Sequence, residues 1–252
     1  MSLCFFLCYD AVMSSLKDFS LEKDYVHIKT DAGVSFGGSQ MWFKKEKSRK
    51  DKRLHQGGCG LVASMDLLLY YCKKNGIAPA ELRKVLEEEA PERNDYLDLL
   101  RKNATLFRYP VSSRFGSLSF EVTHFVNRFM RKHERKERLR HLFLNTKRRR
   151  EKIFRHAAET GYPLILIIGQ PFFRPFSKKG VDFYRQTDAG FTKQVSDIRR
   201  HFVTVTGVLT KDGEKWLEIT SWGRKYYIRE KDLTHYMKHV SAPWITSYYY
   251  LV

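Results

Sequence analysis

A chain of 252 residues, 42% of them hydrophobic, is long enough to bury a sizeable core and too apolar to be a disordered protein. Its 46 Lys and Arg residues against 28 Asp and Glu residues give a net charge of +18, which predicts attraction to polyanions such as nucleic acid, an anionic membrane surface or an acidic protein. No nucleic-acid-binding motif accompanies this charge, so nucleic acid is not favoured as the partner.

The four cysteines exclude a disulfide-stabilised secreted domain. Cys4, Cys8, Cys59 and Cys72 form no conserved-looking framework, and Cys4 and Cys8 have no second Cys or His pair at metal-binding spacing. We therefore predict neither a cofactor nor a metal. The apolar run at residues 3–9 lacks a preceding basic region and a clean cleavage site, which favours a strand or a disordered leader over an export signal. No stretch approaches the ~18 apolar residues of a membrane span, so we expect no transmembrane segment and a cytoplasmic protein.

The first half of the chain is predicted to be mainly helical. Residues 1–50 read as an N-terminal extension with strands, and the basic run at residues 44–53 as an exposed loop. Leu61, Met65, Leu68 and Leu69 recur at helical spacing, which predicts a buried helix that begins at Gly60 and ends at residues 75–76. Further helices are predicted at residues 80–89 and 94–103. In residues 119–160 apolar residues recur at helical spacing among mixed basic and acidic residues, which predicts solvated amphipathic helices that would contact an anionic partner.

The second half of the chain is predicted to form an antiparallel sheet. Residues 162–168 read as a central strand, residues 170–200 as an irregular surface loop, and residues 202–209, 215–220 and 225–229 as successive strands. Helices that precede an antiparallel sheet indicate an α+β fold. We therefore expect one domain over residues 51–252, with a basic helical insertion at about residues 90–160.

Cys59 is the candidate nucleophile, because a thiol reacts as the thiolate and the N-terminus of a helix favours that form. The segment Gly57-Gly58-Cys59-Gly60 directly precedes the apolar helix. The glycines allow a sharp turn and the close approach of a substrate carbonyl, so Gly57 and Gly58 are predicted to line the substrate pocket. The backbone N–H of Cys59 would point at a developing oxyanion. The alternative is a small buried cysteine beside a flexible glycine segment.

His201 is the candidate base. It directly precedes the strand Phe202-Val203-Thr204-Val205 and therefore lies inside the predicted sheet, whereas most other histidines have charged neighbours in the sequence. A lone histidine at the start of a strand is more often structural. The hypothesis that His201 is the base therefore depends on its combination with Cys59 and with the strand that follows it.

These features together resemble the papain-like cysteine peptidases. That superfamily places a Cys at a Gly-rich helix start, much later a His that opens a strand, then an Asn-Ser-Trp-Gly segment and a further strand. The matching segments are QGGCGLVASMDLLLYY around Cys59, HFVTVTGV from His201, and ITSWGRKYYI around Trp222. The helix start is most similar to that of bacterial relatives of the bacteriocin-processing peptidases. The resemblance implies a papain-like fold and a thiol hydrolase, with Trp222 packed beside the histidine.

Two departures from the family pattern bear on activity. Thr220 stands where the family has the Asn that orients the histidine; Glu218, two residues earlier on the same strand face, is a second candidate for that role, and Ser221 a third. The family's oxyanion-hole Gln lies six residues before the Cys, where this chain has Arg53, whereas Gln56 lies three residues before it.

The resulting hypothesis is a hydrolase of peptide or related amide bonds that uses Cys59 and His201, with Thr220, Glu218 and Gln56 in supporting roles. The alternatives are a catalytically impaired papain-like protein that acts as a basic binding module and a nucleic-acid-binding protein built on residues 119–160.

Overall fold

The computed structural model of the chain describes residues 18–44, 47–106 and 118–252. The predictions for the apolar run at residues 3–9 and for Cys4 and Cys8 lie outside these ranges. In chain order the elements are β1 (Phe19–Ser20), β2 (His27–Thr30), β3 (Gly33–Phe36), α1 (Arg49–Gly57), α2 (Cys59–Lys74), α3 (Arg83–Leu86), α4 (Arg93–Leu106), α5 (Ser119–Lys132), β4 (Leu139–His141), α6 (Lys147–Thr160), β5 (Leu164–Ile168), β6 (Val181–Thr187), β7 (Gly190–Ile198), β8 (His201–Lys211), β9 (Glu214–Ser221), β10 (Arg224–Arg229), α7 (Glu230–His239) and β11 (Ser247–Leu251).

A large antiparallel sheet organises the described part of the chain. Its strand order is β4-β11-β5-β8-β9-β10-β6-β7, and β1 pairs in addition with β8. Strands β2 and β3 form a separate hairpin. Within the large sheet every pairing is antiparallel, and the longest strand, β8, lies between β5 and β9. The predicted α+β class is therefore confirmed.

Helix α2 is the central helix of the core. Its residues from Cys59 to Cys72 are all buried, as expected of a helix that is apolar nearly all round. It packs against β8 on one side and against α4 and α5 on others. Asn75 caps its C-terminus, and Gly76, at φ 63°, takes the left-handed conformation that ends the helix. The predicted helix and its end are both present.

The prediction of an irregular surface loop at residues 170–200 is wrong, because much of this segment forms the hairpin of β6 and β7. Val181 and Phe183 are buried, whereas most of β7 is polar and exposed. An edge strand with so few buried residues carries little hydrophobic signal, which explains the error. The predicted loop at residues 44–53 is likewise helical from Arg49 onward, where Ser48 caps α1 by accepting from the Asp51 N–H at 3.0 Å.

The basic segment predicted as helical also differs in detail. Residues 139–141 form strand β4, which pairs with β11, so the helical pattern is interrupted there. Helix α5 buries Val122, Phe125 and Phe129 in the same core as α2. The segment thus contributes to the core instead of lying wholly on the surface. Among the described helices, none has the length and apolar character needed to cross a membrane.

Candidate active site

Gly58 sets the position of Cys59. Helices α1 and α2 meet at Gly58, whose N–H donates to the carbonyl oxygen of Leu54 at 2.8 Å and whose own carbonyl accepts from Val62 at 3.0 Å. A Cβ on Gly58 would lie 2.4 Å from the Leu54 oxygen, so a larger residue would disturb the last turn of α1. Cys59 is therefore the first residue of α2, with its backbone N–H among those that the helix leaves unpaired.

Strand β8 brings His201 to Cys59. His201 opens the strand, and the backbone of the next residue, Phe202, lies close enough to the Cys59 thiol to lower its pKa. Both Cys59 and His201 line one narrow cleft and are almost completely buried, at 7% and 6% exposure. Two residues that are far apart in the sequence thus line the same cleft.

Ser221 orients the His201 ring. Its Oγ lies 2.7 Å from Nε2 of His201. If Nε2–H donates this bond, Nδ1 is the unprotonated nitrogen that can take a proton from the thiol. The Trp222 ring stacks on the imidazole at a centroid distance of 4.7 Å and an interplanar angle of 20°. Trp222 therefore lies beside the histidine, where the family resemblance predicted it.

The Trp222 stack depends on an unusual backbone conformation. Ser221 pairs with Arg224, so Trp222 and Gly223 form a two-residue hairpin loop, at φ 52° and 72°. Positive φ at both positions is typical of the type I′ turn, which favours Asn and Gly and rarely contains an aromatic residue. Such a conformation costs about 1–3 kcal/mol and tends to occur at functional sites.

The other two candidates for orienting His201 hydrogen-bond elsewhere. The hydroxyl of Thr220 donates to the carbonyl oxygen of Phe36 at 2.5 Å. Glu218 accepts from the hydroxyls of Ser20 and Thr206, both at 2.9 Å, and thereby joins β1 to the sheet. Alternation places Thr220 and Ser221 on opposite faces of β9, and the face that meets His201 is that of Ser221.

Gln40 is the glutamine that lines the cleft, and the sequence had given no sign of it. Phe36 donates to the carbonyl of Gly223 and Gly223 donates to that of Gly38, both at 3.0 Å, so the segment before Gln40 is bound to the Trp222 turn. Gln40 then lies in the same cleft as Cys59, with its Nε2 3.3 Å from the His55 carbonyl oxygen.

The predicted pocket residues on α1 lie elsewhere. Gln56 is exposed and lines neither of the clefts at Cys59, so its predicted part in the oxyanion hole has no support in the geometry. Gly57 and Gly58 are buried at the junction of α1 and α2 and also line neither cleft. Their contribution is to the backbone geometry at Cys59 rather than to a substrate surface.

A buried carboxyl group also lines the cleft. Asp66 lies two turns along α2 from Cys59, is 1% exposed, and accepts from the Tyr96 hydroxyl at 2.6 Å and from the Gly38 N–H at 2.9 Å. Burial raises the pKa of Asp66 to about 7, against the lowering effect of these hydrogen bonds.

Burial also disfavours the charged forms of the central pair. It raises the pKa of the Cys59 thiol, and backbone hydrogen bonds from Phe202, Gly60 and Cys59 itself oppose that rise. It lowers the pKa of His201 to about 4. Near neutral pH both groups are therefore neutral, a thiol and an imidazole that line the same cleft.

A second, more open cleft meets the first at Cys59. It has a volume of about 300 Å³. Apolar residues, among them Ile167, Phe202 and Ile245, line it together with Gln170 and Arg200. Cys59 thus lines both clefts, the first together with His201 and the second without it. Within the described residues, no cluster of three or more His, Cys, Asp or Glu side chains is placed to hold a metal ion.

Comparison with known proteins adds no assignment. No family model matches the chain, and no curated protein matches it significantly.

Proposed function

We propose that the protein is a thiol-dependent hydrolase of papain-like type, which cleaves a peptide or related amide bond with Cys59 as nucleophile and His201 as base. The observation that carries this proposal is the placement of both residues in one cleft, with the thiol at a helix N-terminus and the imidazole held by Ser221 and Trp222. A third polar group that orients the base is the usual arrangement of an activated nucleophile.

The proposed reaction proceeds through a thioester. Nδ1 of His201 takes the thiol proton as Sγ of Cys59 attacks the amide carbonyl, and the oxyanion accepts from the Cys59 N–H and from Nε2–H of Gln40. The C–N bond then breaks, and His201 returns the proton to the leaving amine. Water, activated by the same imidazole, hydrolyses the thioester to a carboxylic acid and regenerates the thiol.

A distinctive pH dependence of alkylation tests this proposal. The thiol–imidazole pair and the thiolate–imidazolium pair contain the same number of protons, so the population of the ion pair does not change with pH between the two pKa values. In the proposed mechanism this ion pair is the form that reacts. We expect the rate of Cys59 alkylation by iodoacetamide to be level from about pH 5 to about pH 8, because the pKa of His201 is about 4 and burial raises that of Cys59.

His201→Ala supplies the control for that profile. Without the base, the rate should rise about tenfold per pH unit as the thiolate forms by loss of a proton to solvent. Cys72 is an internal reference, because burial raises its pKa to about 12. A tenfold rise per pH unit in both proteins would contradict the proposal.

The second candidate function is that of a catalytically impaired protein that uses its basic surface for binding. Two observations favour it: Thr220, in the position of the family's Asn, is committed to the Phe36 carbonyl, and burial opposes ionisation of both central residues. If the rate of Cys59 alkylation is level with pH but activated esters do not acylate Cys59, this candidate would be favoured over the hydrolase.

A further inference from the structure

Four exposed aromatic side chains form what we call the aromatic patch: Phe172, Phe173, Phe176 and Trp244. Their exposed fractions are 51%, 49%, 96% and 40%. The rings of Phe172, Phe173 and Trp244 contact one another at centroid distances of 5.5–6.2 Å, and Phe176 follows in the same loop. The three contacting rings form contiguous apolar surface, which commonly marks an interaction site, and Phe176 is an additional exposed ring in the same loop.

The backbone holds the aromatic patch in place. The N–H groups of Phe172 and Phe173 both donate to the carbonyl oxygen of Val240, at 2.8 and 3.0 Å. Ser241 donates its hydroxyl to the Gln170 carbonyl at 2.9 Å, and further along the loop Arg199 donates to the Ser177 carbonyl at 2.8 Å. The rings are therefore presented outward by an anchored loop instead of folding back onto the core.

Basic side chains are interleaved with the aromatic ones. Arg174, Lys178 and Lys179 are exposed in the loop that carries the three phenylalanines. This combination of bulky apolar rings and cations on one surface is typical of segments that lie in the interface of an anionic bilayer, where rings enter the acyl boundary and cations meet headgroups.

A basic cavity begins beside the aromatic patch. Pro243, the neighbour of Trp244, lines a cavity of about 520 Å³ whose rim includes the exposed Leu144. Five basic and two acidic side chains line this cavity. Arg150 pairs with Glu230, Lys147 with Glu151 and Lys231 with Glu214, whereas no ion pair among the described residues involves Lys215 or Lys238. The basic residues are Lys147, Arg150, Lys215, Lys231 and Lys238.

We propose that the aromatic patch and the basic cavity form one docking surface for a bilayer that contains anionic phospholipid. Charge complementarity selects this occupant: the cations lie among and beside the rings, and the whole chain has a net charge of +18. The proposed attachment is at the bilayer surface, through the aromatic rings and the neighbouring cations. It does not depend on the chemistry of Cys59, so Cys59→Ala should bind as the wild type does.

Vesicle co-sedimentation tests this surface. We expect binding to phosphatidylcholine vesicles that contain about one third phosphatidylserine and little binding to phosphatidylcholine alone. Phe176→Ser removes an almost fully exposed ring and should weaken binding at least about tenfold, whereas Val34→Ser, at a site 64% exposed on β3, should leave it unchanged.

A matched pair of charge reversals separates the docking surface from the total charge. Lys178→Glu with Lys179→Glu should abolish binding, and Lys52→Glu with Arg53→Glu, which changes the net charge equally on exposed positions of α1, should largely preserve it. Equal losses in the two double variants would overturn the proposal in favour of attraction by net charge. The proposal would also be overturned if the wild type formed a dimer, bound no vesicles, and dissociated on the change Phe176→Ser. A second copy of the chain would then cover the aromatic patch.

Discussion

Replacing His201 with Gln should change how stability depends on pH, because burial gives this histidine different proton affinities in the folded and unfolded chain. The pKa of His201 is lowered from its ordinary 6.5 to about 4 by burial. Above pH 6.5 the imidazole is neutral in both states. As the pH falls from 6.5 towards 4 the unfolded chain binds a proton that the folded chain does not, so wild-type stability is lost over that window.

The size of this effect follows from the two pKa values. The difference between 6.5 and about 4 corresponds to about 3 kcal/mol in the free energy of unfolding. His201→Gln removes the contribution. The stability of the variant relative to the wild type should therefore improve by about 3 kcal/mol between about pH 7 and about pH 4, whatever the cost of the substitution at neutral pH.

Asp66→Asn should shift stability in the opposite direction. The pKa of Asp66 is raised by burial from 3.8 to about 7, so the folded chain binds a proton first as the pH falls, and the wild type gains stability between 7 and 3.8. This gain amounts to about 4 kcal/mol, and the variant lacks it. Relative to the wild type, Asp66→Asn should therefore lose stability on acidification, while His201→Gln gains it.

Urea denaturation followed by tryptophan fluorescence, at closely spaced pH values, measures both differences. Every other titrating group contributes equally to variant and wild type and cancels in the comparison. A difference between His201→Gln and wild type that stays constant from about pH 7 to about pH 4 would show that His201 is not a buried neutral imidazole, and the description of the cleft would then be wrong.

Three further predictions concern the supporting residues. Ser221→Ala should lower the level part of the Cys59 alkylation profile about five- to tenfold by releasing the imidazole, and Thr220→Ala should not. Gln40→Ala should slow acylation by p-nitrophenyl acetate about a hundredfold, whereas Gln56→Ala should leave it unchanged. Trp222→Ala should admit water to the imidazole and move the acid edge of the alkylation profile from about 4 towards the ordinary pKa of 6.5.

Local patterns in the sequence were sufficient for the parts of the fold that are strongly apolar. The buried helix α2 and its end at Asn75 follow from spacing and capping chemistry, and its first residue, Cys59, lies one residue before the predicted start. The strands β8 to β10 follow from β-branched runs between turns. The hairpin of β6 and β7 was missed because its exposed residues mask the alternation of Val181 and Phe183.

The supporting residues of the site depend on tertiary structure that no local pattern contains. The face of β9 that meets His201 is decided by the pairing of β8 with β9, which includes a bulge between Val205 and Gly207. Ser221 therefore holds the imidazole, although comparison with the family's motif favoured Thr220. Gln40 reaches the cleft only through hydrogen bonds between distant backbone segments.

The central hypothesis is that Cys59 is a nucleophile activated by His201, and formation of an acyl-enzyme tests it most directly. The intact protein would be mixed with p-nitrophenyl acetate near neutral pH, quenched in acid, and digested for mass spectrometry. We predict an acetyl thioester on Cys59, none on Cys72, and a loss of at least about a hundredfold in its rate of formation in His201→Ala. The absence of the thioester, or its formation at the same rate in His201→Ala, would contradict the hypothesis.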